Sequence, residues 1–229
     1  PGSDRGNEVL AHVACRLDLP FAANCVAATP GEPIRLTRVR WGGSLLEEAL
    51  LHAPITILSV APHAVAASPP GRPQAVETFQ PALAAADLAV RVVGRVEPAG
   101  TGVSLAEAKV VVSGGRGVGS AEGFAVIEEL ASLLGGAVGC SRAVTSAGWR
   151  PHRDQVGQTG TKIAPDLYIA CGISGATQHM AGCKGAKRIL AINSDPEAPI
   201  LASADYAVIG DLHEIVPAIS AEIRRVQGR

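Results

Sequence analysis

KVVVSGGRGVGSAEGFAVIEELASLL, Lys109–Leu134, is the stretch on which the fold turns. Lys109-Val110-Val111-Val112-Ser113 is an apolar, β-branched run of the kind a strand buried on both faces needs. Gly114–Gly119 is a glycine-rich turn. Ala121–Leu134 places Phe124, Ile127, Leu130 and Leu134 along one helical face and ends at Gly135-Gly136, a helix stop. The same unit recurs down the chain. Strands are predicted at Ala137–Cys140, Leu167–Cys171, Arg188–Ile192 and Tyr206–Ile209 with helical segments between, and a last helix at Leu212–Val226 repeats Ile215, Ile219 and Ile223 every four residues. Strand followed by helix, repeated, predicts an α/β fold: a parallel sheet with helices on both faces, a Rossmann-like arrangement joined by right-handed crossovers.

Ligand sites in such sheets lie beyond the carboxyl ends of the strands. Arg116 follows the first of these strands, Ser141 and Arg142 the second, Ser174–His179 the third, Asn193 the fourth and Asp211 the fifth, so five strand ends are expected to meet in one crevice. The segment Cys140–Asp166 adds Arg150, Arg153, Gln155, Gln158 and Lys162 in a glycine-punctuated run, which suits an anionic, hydrogen-bonding ligand. Individual motifs are weaker. Gly114–Gly119 misses G-x-G-x-x-G, since Ser120 stands at the last place, and Gly172-Ile173-Ser174-Gly175-Ala176 misses the G-x-S-x-G elbow by its final alanine. Ser174-Gly175-Ala176-Thr177-Gln178-His179 opens a helix, where free amides and polar side chains could address a heterocycle or a phosphate. Asp195-Pro196-Glu197 reads as turn chemistry.

Working toward the amino terminus, Asn7–Leu17 has a helical stripe with Ser3 or Asp4 as caps. Strands are predicted at Ala22–Ala28, Ile34–Trp41 and Ile55–Val60, the second alternating so that its arginines form a solvated face. A linker rich in Pro, Gly and Ser spans Ala66–Pro81, a further strand Leu88–Val96, and Glu97–Gly102 marks the expected boundary between a partial N-terminal α/β domain, 1–97, and a C-terminal domain, 98–229. A helix at the very start, with no initiating methionine and no strand before it, suggests that the chain begins inside a domain whose earlier part is absent.

The formal net charge of -1, the absence of a basic block and the scarcity of aromatics argue against nucleic-acid binding. No apolar run of membrane-spanning length and no signal peptide is present, so membrane insertion is not expected. The five cysteines have no C-x-x-C spacing and mostly sit in apolar runs, which points to buried reduced thiols in a cytoplasmic setting. His179 and Cys183 are four apart on one helix, but two ligands without a third make no metal site.

One combination is far more specific than any single motif. Val111-Val112-Ser113-Gly114-Gly115-Arg116-Gly117, Ser141-Arg142, Val156-Gly157-Gln158-Thr159-Gly160, Ile173-Ser174-Gly175-Ala176 with Gln178-His179, Ala191-Ile192-Asn193 with Asp195–Ile200, and Asp211-Leu212 follow in that order. Together they resemble the α subunit of electron-transfer flavoprotein, densely over Leu105–Ile223 and more faintly before it. The resemblance implies an FAD held by the C-terminal domain. It would place Arg142 over the isoalloxazine ring, where a permanent cation favours the negative charge brought by reduction and raises the potential. Thr159 would bond near the ring nitrogen N5 and His179 near the pyrimidine oxygen. Arg116, Ser141, Gln158 and Ser174 would address ring, ribityl or pyrophosphate oxygens, with Asn193 and Asp211 at the adenosine end. Val156, Gly157, Gly175 and Leu212 would contribute backbone contacts, beside Ala176, Thr177 and Gln178. The family also implies a β subunit holding AMP, flavoprotein dehydrogenases as electron donors, a membrane quinone oxidoreductase as acceptor, and a place in fatty acid β-oxidation, in the cytoplasm or in the matrix if mitochondrial. An electron carrier of this kind has no small-molecule substrate of its own.

Three departures from the family pattern stand out: Lys162 comes one place late, Cys183 and Ser194 stand where Met and Lys are common, and His213 replaces a Phe. From the residues alone, a nucleotide-dependent dehydrogenase or transferase using the same crevice is the alternative. The crevice, however, lacks an evident acid/base pair or activated nucleophile.

Overall fold

The computed structural model describes residues 1–66, 68, 71, 75–94 and 103–228. The chain divides into two compact units, Pro1–Val65 together with residues 103–229, and Ala66–Gly102.

In the larger unit, helix α1 (Asp4–Leu17) is capped by Ser3, whose side chain accepts from the Gly6 amide, as its sequence position predicts. It lies on a four-stranded sheet of order β3-β2-β1-β4, made of β1 (Phe21–Thr29), β2 (Ile34–Arg40), β3 (Leu45–Leu51) and β4 (Ile57–Val60). A half-buried polar triad ties the layer together: Ser59 Oγ donates to Asn7 Oδ1 at 2.6 Å, Asn7 Nδ2 donates to Asn24 Oδ1 at 3.0 Å, and the Asn24 amide donates to Ser59 Oγ at 2.9 Å. β3 has no counterpart in the sequence reading, because Leu45-Leu46-Glu47-Glu48-Ala49-Leu50-Leu51 lacks the alternation of a strand. It is held instead by full antiparallel register with β2. The β2 arginines are therefore not merely solvated: Arg38 and Arg40 both reach Glu47 across the pair, at 2.8 and 2.9 Å.

The second sheet is entirely parallel, of order β6-β5-β7-β8-β9, with β5 (Val110–Gly114), β6 (Ala137–Cys140), β7 (Leu167–Cys171), β8 (Ile189–Asn193) and β9 (Tyr206–Ile209). Successive residues face opposite cores. Val111, Tyr168, Ala170 and Ala191 enter one core with Ile163, Cys183 and Ile200. Val112, Ile169, Cys171 and Ile192 enter the other with Phe124, Ile127, Leu130 and Val216. Helices α2 (Ala125–Leu133) and α5 (Leu212–Gln227) close that second face, and α4 (Thr177–Cys183) closes the first. Alternation along each strand between two buried faces explains why these strands read as unbroken apolar runs. β9 is the exception: all four residues are exposed at the sheet edge.

In the smaller unit, the strand expected at Leu88–Val96 is not formed over residues 88–94, and residues 95–96 lie outside the described residues. Ala85–Leu88 is a 3-10 turn, and Val90, Val92 and Val93 are largely exposed. A β-branched run forms a strand only against a neighbour that supplies the ladder and the packing. The expected boundary at residues 97–102 also falls outside the described residues.

Candidate functional site

Numbering the parallel strands in chain order gives 2-1-3-4-5, so the sheet changes direction of growth between β5 and β7. A crevice opens there, beyond the strand ends, as the topology requires. Gly117 follows β5 and Gly172 follows β7. They approach backbone to backbone: a Cβ added to either would stand 2.7 Å from the Cα of the other. The two strand ends thus leave open a cavity of about 380 Å³.

Three further elements complete its wall. β6 delivers Ser141 and Arg142, the N-cap and first residue of α3 (Arg142–Ser146). The loop before β7 supplies Gln155–Thr159, held to the β6 end by a Val156 amide to Cys140 carbonyl bond of 2.9 Å and to α4 by a Gln158 amide to Gln178 carbonyl bond of 2.7 Å. α4 itself contributes Gln178 and His179, and β8 contributes Asn193.

The structure therefore brings together Arg116, Ser141, Arg142, Val156, Gly157, Gln158, Thr159, Ser174, Ala176, Gln178, His179 and Asn193 as lining residues. Four expected residues do not line it. Gly175 turns at φ +82° against Ile200, where a Cβ would stand 2.5 Å from the Ile200 amide nitrogen. Thr177 is exposed at the start of α4. Leu212 is buried in the core beside Phe124 and Val216. Asp211 caps α5, accepting from the His213 amide at 2.8 Å. Four strand ends and a loop meet in the cavity rather than five strand ends, since β9 is an edge strand one position further out.

Charge is distributed unevenly. Arg150 is committed: it pairs with Glu128, bonds Asp154 at 3.0 Å and lies 5.4 Å from the Phe124 ring centroid. Arg116 and Arg142 are exposed at the cavity and form no ion pair among the described residues. Two uncommitted guanidinium groups in one concave site suit an anionic ligand with planar, bidentate acceptors.

His179 is set deep in the wall, 7% exposed. Its Nε2 meets the Tyr168 hydroxyl at 2.7 Å, and its Nδ1 is buried with no hydrogen-bond partner among the described residues. Burial pushes its pKa down to about 4, with the Val156 backbone opposing. It is thus a neutral imidazole with one nitrogen still to satisfy. Cys183, four residues on along the same helix, directs its Sγ at the His179 carbonyl at 3.7 Å, and no cluster of three or more candidate metal ligands occurs among the described residues. Asn193 is doubly tied, donating to the Ile173 carbonyl at 2.9 Å and accepting from the Asp195 amide at 3.1 Å, so it braces β7 against β8. His213, the departure at the α5 start, has its own partner in the Val118 carbonyl at 3.1 Å.

Sequence reasoning placed Gln155 in the ligand-suited run Cys140–Asp166 but assigned it no role at the site. It lines the cavity at 2% exposure and bridges Thr145 and Thr159. Nothing in Gln155-Val156-Gly157-Gln158 separates the buried glutamine from the exposed one.

Fold and site together define a doubly wound nucleotide-binding domain with a cationic crevice at its switch point. Comparison with known proteins narrows this. The family model described as the electron transfer flavoprotein FAD-binding domain matches residues 104–184. The chain is 39% identical over 224 residues to the electron transfer flavoprotein subunit alpha of Bacillus subtilis, covering 96% of this chain and 68% of that protein. Protein FixB of Clostridium saccharobutylicum is 37% identical with the same coverage of both. The α subunit of Paracoccus denitrificans is 57% identical over 119 residues, 52% of this chain and 39% of that protein. The chain belongs to the electron-transfer flavoprotein α-subunit family.

Proposed function

We propose that this chain is the FAD-carrying subunit of a two-subunit electron carrier. The observation that carries the reading is the pair Arg116 and Arg142, two guanidinium groups at the switch-point cavity that form no ion pair among the described residues. The other features agree in kind with a dinucleotide bearing a flat heterocycle. The Gly117/Gly172 approach lets backbone come close to a ligand, and the unpartnered His179 Nδ1 offers a neutral group to a ring heteroatom. FAD, when bound, supplies a reversible store for one or two electrons.

In this reading Arg142 lies by the ring and opposes loss of its added negative charge, while Thr159 and His179 bond ring heteroatoms. Arg116, Ser141, Gln158 and Ser174 hold ribityl and pyrophosphate oxygens. Asn193, Asp211 and Leu212 serve the adenosine end, which extends beyond the cavity, and Gly175, Ala176, Thr177 and Gln178 shape the turn between. In this reading the FAD-binding domain is residues 98–229, and residues 1–97 belong to a separate α/β domain with its linker. The chain pairs with a β subunit, which carries AMP. Electrons arrive from flavoprotein dehydrogenases and leave to a membrane quinone oxidoreductase, and the chain acts as carrier rather than enzyme. No helix among the described residues is long and apolar enough to cross a membrane.

An absorption spectrum with competing titrations tests the reading. Purified protein should show flavin bands, or acquire them with added FAD, and should ignore NAD. A colourless protein that takes up NAD instead would favour a soluble-nucleotide dehydrogenase.

A further inference from the structure

The turn that joins β2 to β3 reaches the wall of the switch-point cavity. Trp41, Gly42 and Gly43 are three successive left-handed residues, at φ +52°, +61° and +100°. Such a run persists only where its surroundings hold it, and here it is held from both sides. Within the hairpin, β2 and β3 stay in register from Ile34 opposite Leu51 to Arg40 opposite Leu45, Arg38 and Arg40 both reach Glu47, and the Ser44 amide donates to the Trp41 carbonyl at 3.2 Å. From beyond it, Lys184 Nζ, at the end of α4, donates to the Gly43 carbonyl at 2.6 Å.

Gly42 is thereby set against Gln158. A Cβ added to Gly42 would stand 2.7 Å from Gln158 Cδ and 3.0 Å from Gln158 Cγ, well inside the separation of carbon atoms in contact. Gln158 lines the cavity and is fixed at its backbone, where its amide donates to the Gln178 carbonyl at 2.7 Å. Its carboxamide forms no hydrogen bond among the described residues. Packing on the bare face of Gly42 is therefore what fixes the far end of the side chain. Gly43 differs: a Cβ there would meet nothing nearer than the Ala181 carbonyl oxygen at 4.0 Å.

We propose that Gly42 is a positioning residue for the ligand: the β2–β3 turn, clasped by Lys184, is the backstop that sets where the Gln158 carboxamide stands. The first sheet thus takes part in holding a ligand bound at the second, although no residue of the turn need touch that ligand. The inference rests on the reading that FAD occupies the cavity and that Gln158 addresses its oxygens. A methyl group at residue 42 drives the carboxamide off the backstop, and its bond to the ligand is lost.

Two measurements test this. In the ligand-free protein, NMR cross-peaks should join the Gln158 side-chain amide protons to the Gly42 α protons; their absence overturns the placement whatever the cavity holds. A double-mutant cycle in FAD affinity tests the consequence. Gly42→Ala and Gln158→Ala should each weaken FAD binding about three- to tenfold, the worth of one neutral hydrogen bond, and the double variant should bind no more weakly than Gln158→Ala alone. Lys184→Met, at an exposed side chain, keeps the test open should Gly42→Ala fail to fold. It should weaken binding at least about twofold, and only while Gln158 is present. Losses of equal factor in the wild-type and Gln158→Ala backgrounds would trace the effect to strain or lost charge and refute the positioning role, as would Gly42→Ala protein that binds FAD like the wild type. Those outcomes leave the flavin reading intact, whereas wild-type protein that takes up no FAD refutes that reading and this inference with it.

Discussion

Gly117 and Gly172 stack backbone on backbone, each leaving room for no more than the other's Cα, 2.7 Å from where a Cβ would stand. Gly172 also sits at φ +61°, a conformation that costs any other residue energy. Gly172→Ala therefore combines left-handed strain with a collision between the two strand ends. It should destabilise the fold by on the order of 2–4 kcal/mol, measured by urea denaturation. Gly148→Ala, at φ +75° with open space around it, should cost only about 1 kcal/mol. Equal losses at the two sites would mean that the close approach is not a constraint.

His179 should remain neutral throughout the physiological range, because burial pushes its pKa down to about 4. The folded value lies below the ordinary 6.5, so the unfolded chain binds the proton first. Stability due to this residue is full above about pH 6.5 and is lost as pH falls toward 4, by up to roughly 3 kcal/mol. Denaturation curves between pH 7.5 and 4 should show that decline, and His179→Gln should flatten it. Tyr168→Phe removes the partner of Nε2 and should cost about 1–3 kcal/mol at neutral pH.

The cysteines divide by burial. Cys15 is exposed, and Cys25, Cys140, Cys171 and Cys183 are buried. Desolvation pushes Cys140 and Cys171 up to about 12 and Cys183 to about 11, so these thiols carry almost no thiolate at neutral pH. A chromogenic disulfide reagent should label Cys15 alone in the folded protein and all five after denaturation. Rapid reaction of more than one thiol in native conditions would contradict the packing.

Arg142 forms no ion pair among the described residues and lines the cavity, so its charge is available to the ligand. Arg142→Ala should lower the reduction potential of bound FAD, and Arg142→Lys should recover part of the loss. One cation acting across a partly solvated pocket contributes on the order of 1–3 kcal/mol. Potentiometric titration reads the change directly, and an unaltered potential in Arg142→Ala would reject the assigned role.

Much of this molecule is legible in its sequence, for identifiable reasons. The parallel strands announce themselves because both faces are buried, so Val110-Val111-Val112 and Tyr168-Ile169-Ala170-Cys171 are apolar without a break. The crevice follows, because strand ends in such a sheet converge by topology. β3 is hidden, since its Glu-rich run is held by pairing with β2 rather than by its own pattern. Residues 88–94 mislead in the opposite sense, having strand composition but no neighbour. Asp211 and Leu212 lie in order after a strand, yet one caps a helix and the other fills the core, because β9 is at the edge. Gln155 could not be told from Gln158, as burial is set by the β6 contact and leaves no trace in residue type.

The most direct test of the account is equilibrium titration of the protein, paired with its β subunit, with FAD. Wild-type protein should bind a single FAD per chain. Arg116→Ala combined with Arg142→Ala should weaken binding at least about tenfold, or 1.4 kcal/mol, while Arg153→Ala, outside the cavity, should leave it unchanged. A wild-type protein that takes up no FAD, or a double variant that binds it as tightly as wild type, would contradict the claim that these two unpaired arginines mark the flavin site.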